Sequence, residues 1–164
     1  QVNVKSMALQ VVSWVSWTKI MIRKVVTEYL IHIVDLIDPY VDDFAVDNTG
    51  REKFSTQMLK SLIENPDIHY FAYKQSNQIV GVIAYREPAH IVHFFVSKNH
   101  QGKGIGRCLW QHVESMMKSS GIKLITVNSS CYAEKIYKKM GFESVSEVIE
   151  AYGLRFIKMH KYIV

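Results

Sequence analysis

The chain has 164 residues, 48% apolar and 21% charged, with a formal net charge of +5. That balance fits one globular domain with its own core and excludes a disordered or fibrous chain. The positive charge favours anionic ligands, but its Lys and Arg are scattered and form no dense basic run, so nucleic acid is not expected as a partner. The two cysteines, Cys108 and Cys131, have no CxxC or Cys/His spacing, so no metal site or disulfide scaffold is expected, and reduced thiols point to a cytoplasmic protein.

Residues 1–20 read as an N-terminal extension, and residues 21–164 as a single domain. "MALQVVSWVSW" is interrupted by Ser13 and Ser16, lacks a cleavage site and is too short to span a bilayer, so no membrane partner is expected. Trp14 and Trp17 give this arm an apolar surface that could pack on the domain or on a second copy. "KIMIRKVV" is β-branched and predicts a strand. Thr27 is a candidate N-cap for a helix over 28–41, where Leu30, Ile33, Val34 and Ile37 recur at helical spacing and Pro39 ends or kinks it. "DNTG" predicts a loop, and 51–65 a second helix with Phe54, Met58, Leu59 and Leu62 on one side.

From His69 the period changes. Residues 69–87 predict a hairpin around "QSN", in which Tyr70, Phe71 and Tyr73 are either strand core or pocket wall. "HIVHFFV" predicts a strand covered on both faces. A helix over 105–119 carries Leu109, Trp110, Val113 and Met116 as packing residues, and Gly121 caps it. "KLITVN" predicts a strand, "YAEKIYKKM" a short helix stopped by Gly141, and 142–149 with 154–163 a closing strand pair. The order β-α-α-β-β-β-α-β-α-β-β predicts a mixed α/β (α+β) domain whose sheet is flanked by helices.

Between strand and helix lies "SKNHQGKGIGR". Glycine reaches φ > 0 and carries no side chain, so such a turn aims several backbone N–H groups at one point. The helix behind it adds unpaired amides and the positive end of its dipole. Lys98, Lys103 and Arg107 add charge, so the loop predicts an anion site, a pyrophosphate above all. A Walker A loop requires Lys followed by Ser or Thr, and Lys103 is followed by Gly104. Gly102-Lys103-Gly104-Ile105-Gly106 also lacks the GxGxxG spacing of a dinucleotide fold. A plain tight turn explains the loop taken alone.

Two motifs carry a resemblance. Gln101-x-x-Gly104-x-Gly106 resembles the Q/R-x-x-G-x-G/A loop of the GNAT acetyltransferase superfamily, and Ala133, Tyr137, Gly141 and Phe142 fall where that family has A-x-x-x-Y-x-x-x-G-F. The resemblance runs from about Met21 to Tyr162. It implies a largely antiparallel sheet whose fourth and fifth strands splay around the pantetheine arm of acetyl-CoA. Phe94, Phe95 and Val96 would line the arm, and an amide near Phe95 would polarise the thioester carbonyl. Gln101, Gly102, Lys103, Gly104, Ile105, Gly106 and Arg107 would hold the pyrophosphate. Ser130, where many members have Asn, would contact the cofactor together with Asn128 and Ala133.

The resemblance makes Tyr137, which also lies against the cofactor, the general acid for the leaving thiolate. A phenol of pKa about 10 suits a thiol of pKa about 8.5. Without the motif, Tyr137 is a packed tyrosine on the inner face of a helix. The expected fifth strand lacks the carboxylate some members use as base. Glu87 and His93 are the candidate bases, His93 on its pKa, and a core histidine is the alternative. Cys131 is expected to be a small buried residue.

The expected function is acetyl transfer from acetyl-CoA, as co-substrate and without metal, directly to a primary amine in a ternary complex. The acceptor is a small-molecule amine or a protein amino group. Asp38, Asp42, Asp43 and Asp47 form an acidic loop that could attract a cationic amine, or simply be solvated. A non-catalytic acyl-CoA-binding or sensing module is the alternative, a nucleotide-binding protein a weaker one, and a homodimer is compatible with the resemblance.

Overall fold

The computed structural model describes residues 21–164; residues 1–20, with the expected extension and its two tryptophans, lie outside the described residues. The strands are β1 (Ile22–Lys24), β2 (Ile68–Gln75), β3 (Gln78–Arg86), β4 (His90–Val96), β5 (Leu124–Ser129), β6 (Glu143–Ser144), β7 (Ile149–Ala151) and β8 (Leu154–Tyr162). The helices are α1 (Leu30–Ile37), α2 (Asn48–Glu52), α3 (Thr56–Glu64), α4 (Ile105–Ser119) and α5 (Glu134–Lys139). The sheet order is β1-β2-β3-β4-β5-β8-β6, with β7 on β8. Every neighbouring pair is antiparallel except β4 and β5, which run parallel. The predicted largely antiparallel α/β sheet is therefore the observed one.

Local chemistry explains where boundaries moved. The hairpin turns at Ser76 and Asn77, both with positive φ (49° and 62°), the twist that suits a two-residue connection. The long first helix is trimmed to α1 by short 3-10 turns on either side, and Thr27 lies inside the first of them and does not cap α1. The expected loop "DNTG" opens α2 instead, because the Asp47 carboxylate accepts from Gly50 N–H at 2.9 Å. The expected helix over 51–65 is broken at Ser55, whose hydroxyl accepts from Met58 N–H at 3.2 Å and starts α3 afresh. The penultimate strand is likewise split into β6 and β7. Between them the Ser146 hydroxyl takes the N–H of Lys158, standing in for a strand carbonyl.

Two cores cover the sheet. Ile105, Leu109, Trp110, Val113 and Met117 of α4 pack with Ile83, Ile91, Ile125, Val127, Tyr137 and Phe142 on one face. Ile33, Leu36 and Ile37 of α1 and Leu59 of α3 pack with Tyr70, Val82, Ala84 and Phe95 on the other. Tyr70 and Tyr73 are buried in these cores, which settles them as strand core.

One irregularity positions the site. The β3–β4 register runs Ala84↔His93 and then Tyr85↔Ile91, so Val92 is an extra residue, a bulge. Without it Ile91, His93 and Phe95 would share a face. With it Ile91 joins the α4 core and Phe95 the α1 core. Beyond the bulge β4 no longer pairs with β5: their ladder covers only His90↔Thr126 and Ile91↔Val127. The two strands part, leaving a wedge-shaped gap between the ends of β4 and β5.

Candidate active site

The hydrogen-bond phase of β4 fixes which groups face the gap. Ser97 N–H donates to Val80 C=O at 2.8 Å, in register with Val82↔Phe95 and Ala84↔His93. In an antiparallel ladder alternate residues bond the same neighbour. Phe95 and His93 therefore spend their amides on β3, while the backbone groups of Phe94 and Val96 point into the gap. The Val96 carbonyl shows this directly, since it accepts from the Tyr40 hydroxyl at 2.6 Å. The amide near Phe95 that the resemblance implies as a carbonyl donor is spent on β3; the amide left facing the gap is that of Phe94, because the bulge shifts the phase.

The glycine loop closes the gap's outer end. Gly102 and Gly104 take φ of 73° and 83°, and a Cβ at either would meet nothing within 4 Å. Gly104 is the left-handed N-cap of α4, and the first helical bond runs from Cys108 N–H to Gly104 C=O. The amides ahead of Cys108 lack helix partners and face open space, at the positive end of a 15-residue helix. Lys103 and Arg107 are exposed on the same turn, and Ile105 is buried beneath it. Gly106 packs on the side chains of Phe94 and Val96, so the anion cradle sits directly over the open edge of β4. Gln101 departs from expectation: its amide Nε2 is 2.5 Å from the Tyr40 hydroxyl and 3.4 Å from Val96 C=O.

Tyr137 lies on the inner face of α5, 8% exposed, its ring 6.4 Å edge-on to Phe94 and 5.3 Å from Phe142. The structure therefore brings together a phenol, a free amide pair and an anion cradle. Burial pushes the phenol up, so it keeps its proton at any working pH. Among the described residues no side chain hydrogen-bonds that hydroxyl, which leaves its proton for a ligand.

The remaining expected residues divide. Asn128 is exposed at the end of β5, on the far lip of the gap. Ser130 is buried, and its hydroxyl accepts from Ala133 N–H at 3.1 Å, so both residues shape the turn that presents α5. Cys131 is exposed, contrary to the expected burial, because Ser129 and Ser130 fill the inward positions of that turn.

His93 and Glu87, the candidate bases, do not join the cluster. His93 is buried against the α1 core, with Nδ1 2.8 Å from the Tyr70 hydroxyl and its ring stacked 6.1 Å from Phe54. Burial drives its pKa down to about 4, so it accepts a proton poorly. It is a packed histidine on the face opposite Tyr137. Glu87 is exposed and bonds His69 Nε2 at 2.7 Å, ahead of β4 and away from the splayed end. The acidic loop is also partly spent: Asp42 pairs with Arg51 and Asp47 caps α2, which leaves Asp38 and Asp43 exposed.

A polar depression of about 610 Å³ between α5 and the β6–β7 connection contains no β4 residue and is separate from this cluster. Among the described residues no three His, Cys, Asp or Glu side chains gather as a metal site, and no helix is long and apolar enough to cross a membrane.

A splayed parallel strand pair, an amide-lined turn at its mouth and a buried phenol beside it are the features that the two sequence motifs imply for an acetyltransferase of the GNAT superfamily. Residues 38–163 match the model of the acetyltransferase (GNAT) domain, and the chain belongs to that family. The fold is similar to that of the PaiA N-acetyltransferase from Thermoplasma acidophilum in complex with coenzyme A, at 21% identity and a TM-score of 0.68, over 87% of this chain and 98% of that one. It is also similar to an aminoglycoside 6'-N-acetyltransferase complexed with coenzyme A, at 14% identity and a TM-score of 0.67, over 87% and 97% of the two chains. The ribosomal-protein-S18-alanine N-acetyltransferase from Escherichia coli is similar at 16% identity and a TM-score of 0.67, over 87% and 92%.

Proposed function

We propose that the protein transfers acetyl from acetyl-CoA directly to a primary amine while both are bound. The observation that carries this reading is the placement of Tyr137 against Phe94, the first residue of β4 whose amide is free to face the gap. The pantetheine arm lies along the Phe94–Val96 edge as an added strand, and the pyrophosphate rests on the amides of Gly102 to Arg107. Lys103 and Arg107 supply countercharge.

The amine nitrogen attacks the thioester carbonyl carbon. As the C–N bond forms, the carbonyl oxygen takes up negative charge and accepts from Phe94 N–H. The C–S bond then breaks, and the Tyr137 hydroxyl gives its proton to the departing sulfur. Burial raises the phenol, so it is the neutral O–H form that meets the departing sulfur. The amine reaches the site as the free base, and the proton its nitrogen sheds on becoming an amide passes through water and restores the Tyr137 hydroxyl, since neither His93 nor Glu87 faces the gap. Asp38 and Asp43, exposed on the loop after α1, favour a cationic acceptor.

The test is a panel of polyamines, aminoglycosides and peptides with free amino termini or lysines, assayed with acetyl-CoA for release of the free thiol. Turnover with a cationic member is expected. Binding of CoA without turnover on any amine would make the chain a non-catalytic acyl-CoA-binding module.

A further inference from the structure

Tyr40 belongs to the short turn after α1, on the α1 side of the sheet, 56 residues from Val96. Its ring packs 5.6 Å from that of Phe95, and Lys98 Nζ lies 5.5 Å over its centre. From there its hydroxyl reaches the open edge of β4 and donates to Val96 C=O at 2.6 Å. The Gln101 side chain, rooted in the glycine loop, donates to the same hydroxyl. One phenol thus ties together the loop after α1, the edge of β4 and the anion cradle. Val96 C=O has no strand partner on that side, because the β4–β5 ladder ends at Ile91↔Val127.

We propose that Tyr40 is a latch on the cofactor groove, a positioning residue that holds the backbone acceptor an incoming pantetheine amide requires. The proposal rests on the acetyl-CoA reading above. An amide N–H laid along β4 as an extra strand meets Val96 C=O, which Tyr40 already occupies. Seating the arm displaces the hydroxyl and releases the turn carrying Asp38 and Asp43. Cofactor binding thereby resets the loop that would meet the amine. A ligand bearing the phosphates but no pantetheine leaves the latch closed.

The experiment compares CoA with 3'-phospho-ADP by calorimetry on the native chain and on Tyr40→Phe, which keeps the ring contacts and removes the hydroxyl. The expected result is about three- to tenfold tighter CoA binding in the variant, the worth of one competing hydrogen bond, with 3'-phospho-ADP unchanged. On the native chain, hydrogen exchange in residues 38–46 should quicken with CoA and not with 3'-phospho-ADP. Equal shifts for both ligands, or weaker CoA binding in the variant, would make Tyr40 a structural support and overturn the latch. CoA binding that leaves exchange in 38–46 unaltered would do the same. Failure of the native chain to bind CoA at all would overturn the acetyl-CoA reading and the latch with it.

Discussion

Replacing Tyr137 by Phe isolates the proton-donor role. The ring is 8% exposed and wedged between Phe94 and Phe142, so Phe keeps the volume and both edge-on contacts. No side chain among the described residues relies on the hydroxyl, so stability should change by less than about 1 kcal/mol. On the proposed reading the pantetheine runs along backbone, so CoA affinity should stay within about twofold. The rate should not. General acid catalysis contributes about 10²–10⁴-fold, and a thiolate of pKa about 8.5 is already a fair leaving group, which places the loss toward the lower end, about 10²–10³-fold in kcat. Steady-state kinetics with saturating acetyl-CoA, paired with calorimetry, reads both quantities. An unchanged kcat would reduce Tyr137 to core packing. A Kd rising by the same factor as the rate falls would make it a binding residue and refute the assigned chemistry.

Gly104→Ala puts a Cβ on a residue at φ 83°, facing open space where the phosphates would rest. The left-handed strain costs roughly 1 kcal/mol, so the variant should fold, while CoA binding by calorimetry should weaken about tenfold or more. A Cβ at Gly153, where φ is 75°, would collide with the Asp47 carboxylate and with the backbone nitrogen of Gly50, so Gly153→Ala has to displace the α2 cap and the backbone beneath it. Left-handed strain, the lost cap and that backbone shift together predict a destabilisation of at least about 2–3 kcal/mol in urea. His93 sets an acid limit. Its folded pKa of about 4 lies below the unfolded value of about 6.5, so below pH 6.5 the unfolded chain binds the extra proton. The native state therefore loses stability as pH falls from about 6.5 toward 4, by about 2 kcal/mol at pH 5. Urea midpoints at pH 7.5 and pH 5 should differ by at least that much, and His93→Phe should shrink the difference, leaving the part due to His90 and His112, which burial also lowers.

Local signals carried most of the architecture. The alternation in residues 69–87, the apolar run of β4 and the 3.6-residue period of α4 depend on neighbours close in sequence, and they appear where expected. The glycine turn ahead of α4 was legible for the same reason, whereas Tyr137 was singled out by the resemblance and not by its own spacing. The corrections come from pairings the chain closes over distance. The bulge at Val92 exists only relative to β3, yet it decides that Phe94 faces the gap and that His93 turns to the α1 core. Asp42 was spent on Arg51, nine residues away, and Asp47 on its own helix. Ser55 and Asp47 did carry a legible signal, since both are residue types that cap helices. Tyr40 carried none: nothing near it in sequence announces a bond to Val96.

The central claim is that acetyl-CoA lies along the splayed edge of β4 with its phosphates on the glycine loop. The most direct measurement is amide NMR of the isotope-labelled chain titrated with CoA. The amides of Phe94 and Val96, and those from Gly102 to Arg107, should move most, with His93 and Phe95 moving less because β3 holds them. Shifts concentrated instead around Ser144–Val148, or spread without focus, would place the ligand elsewhere and contradict the account.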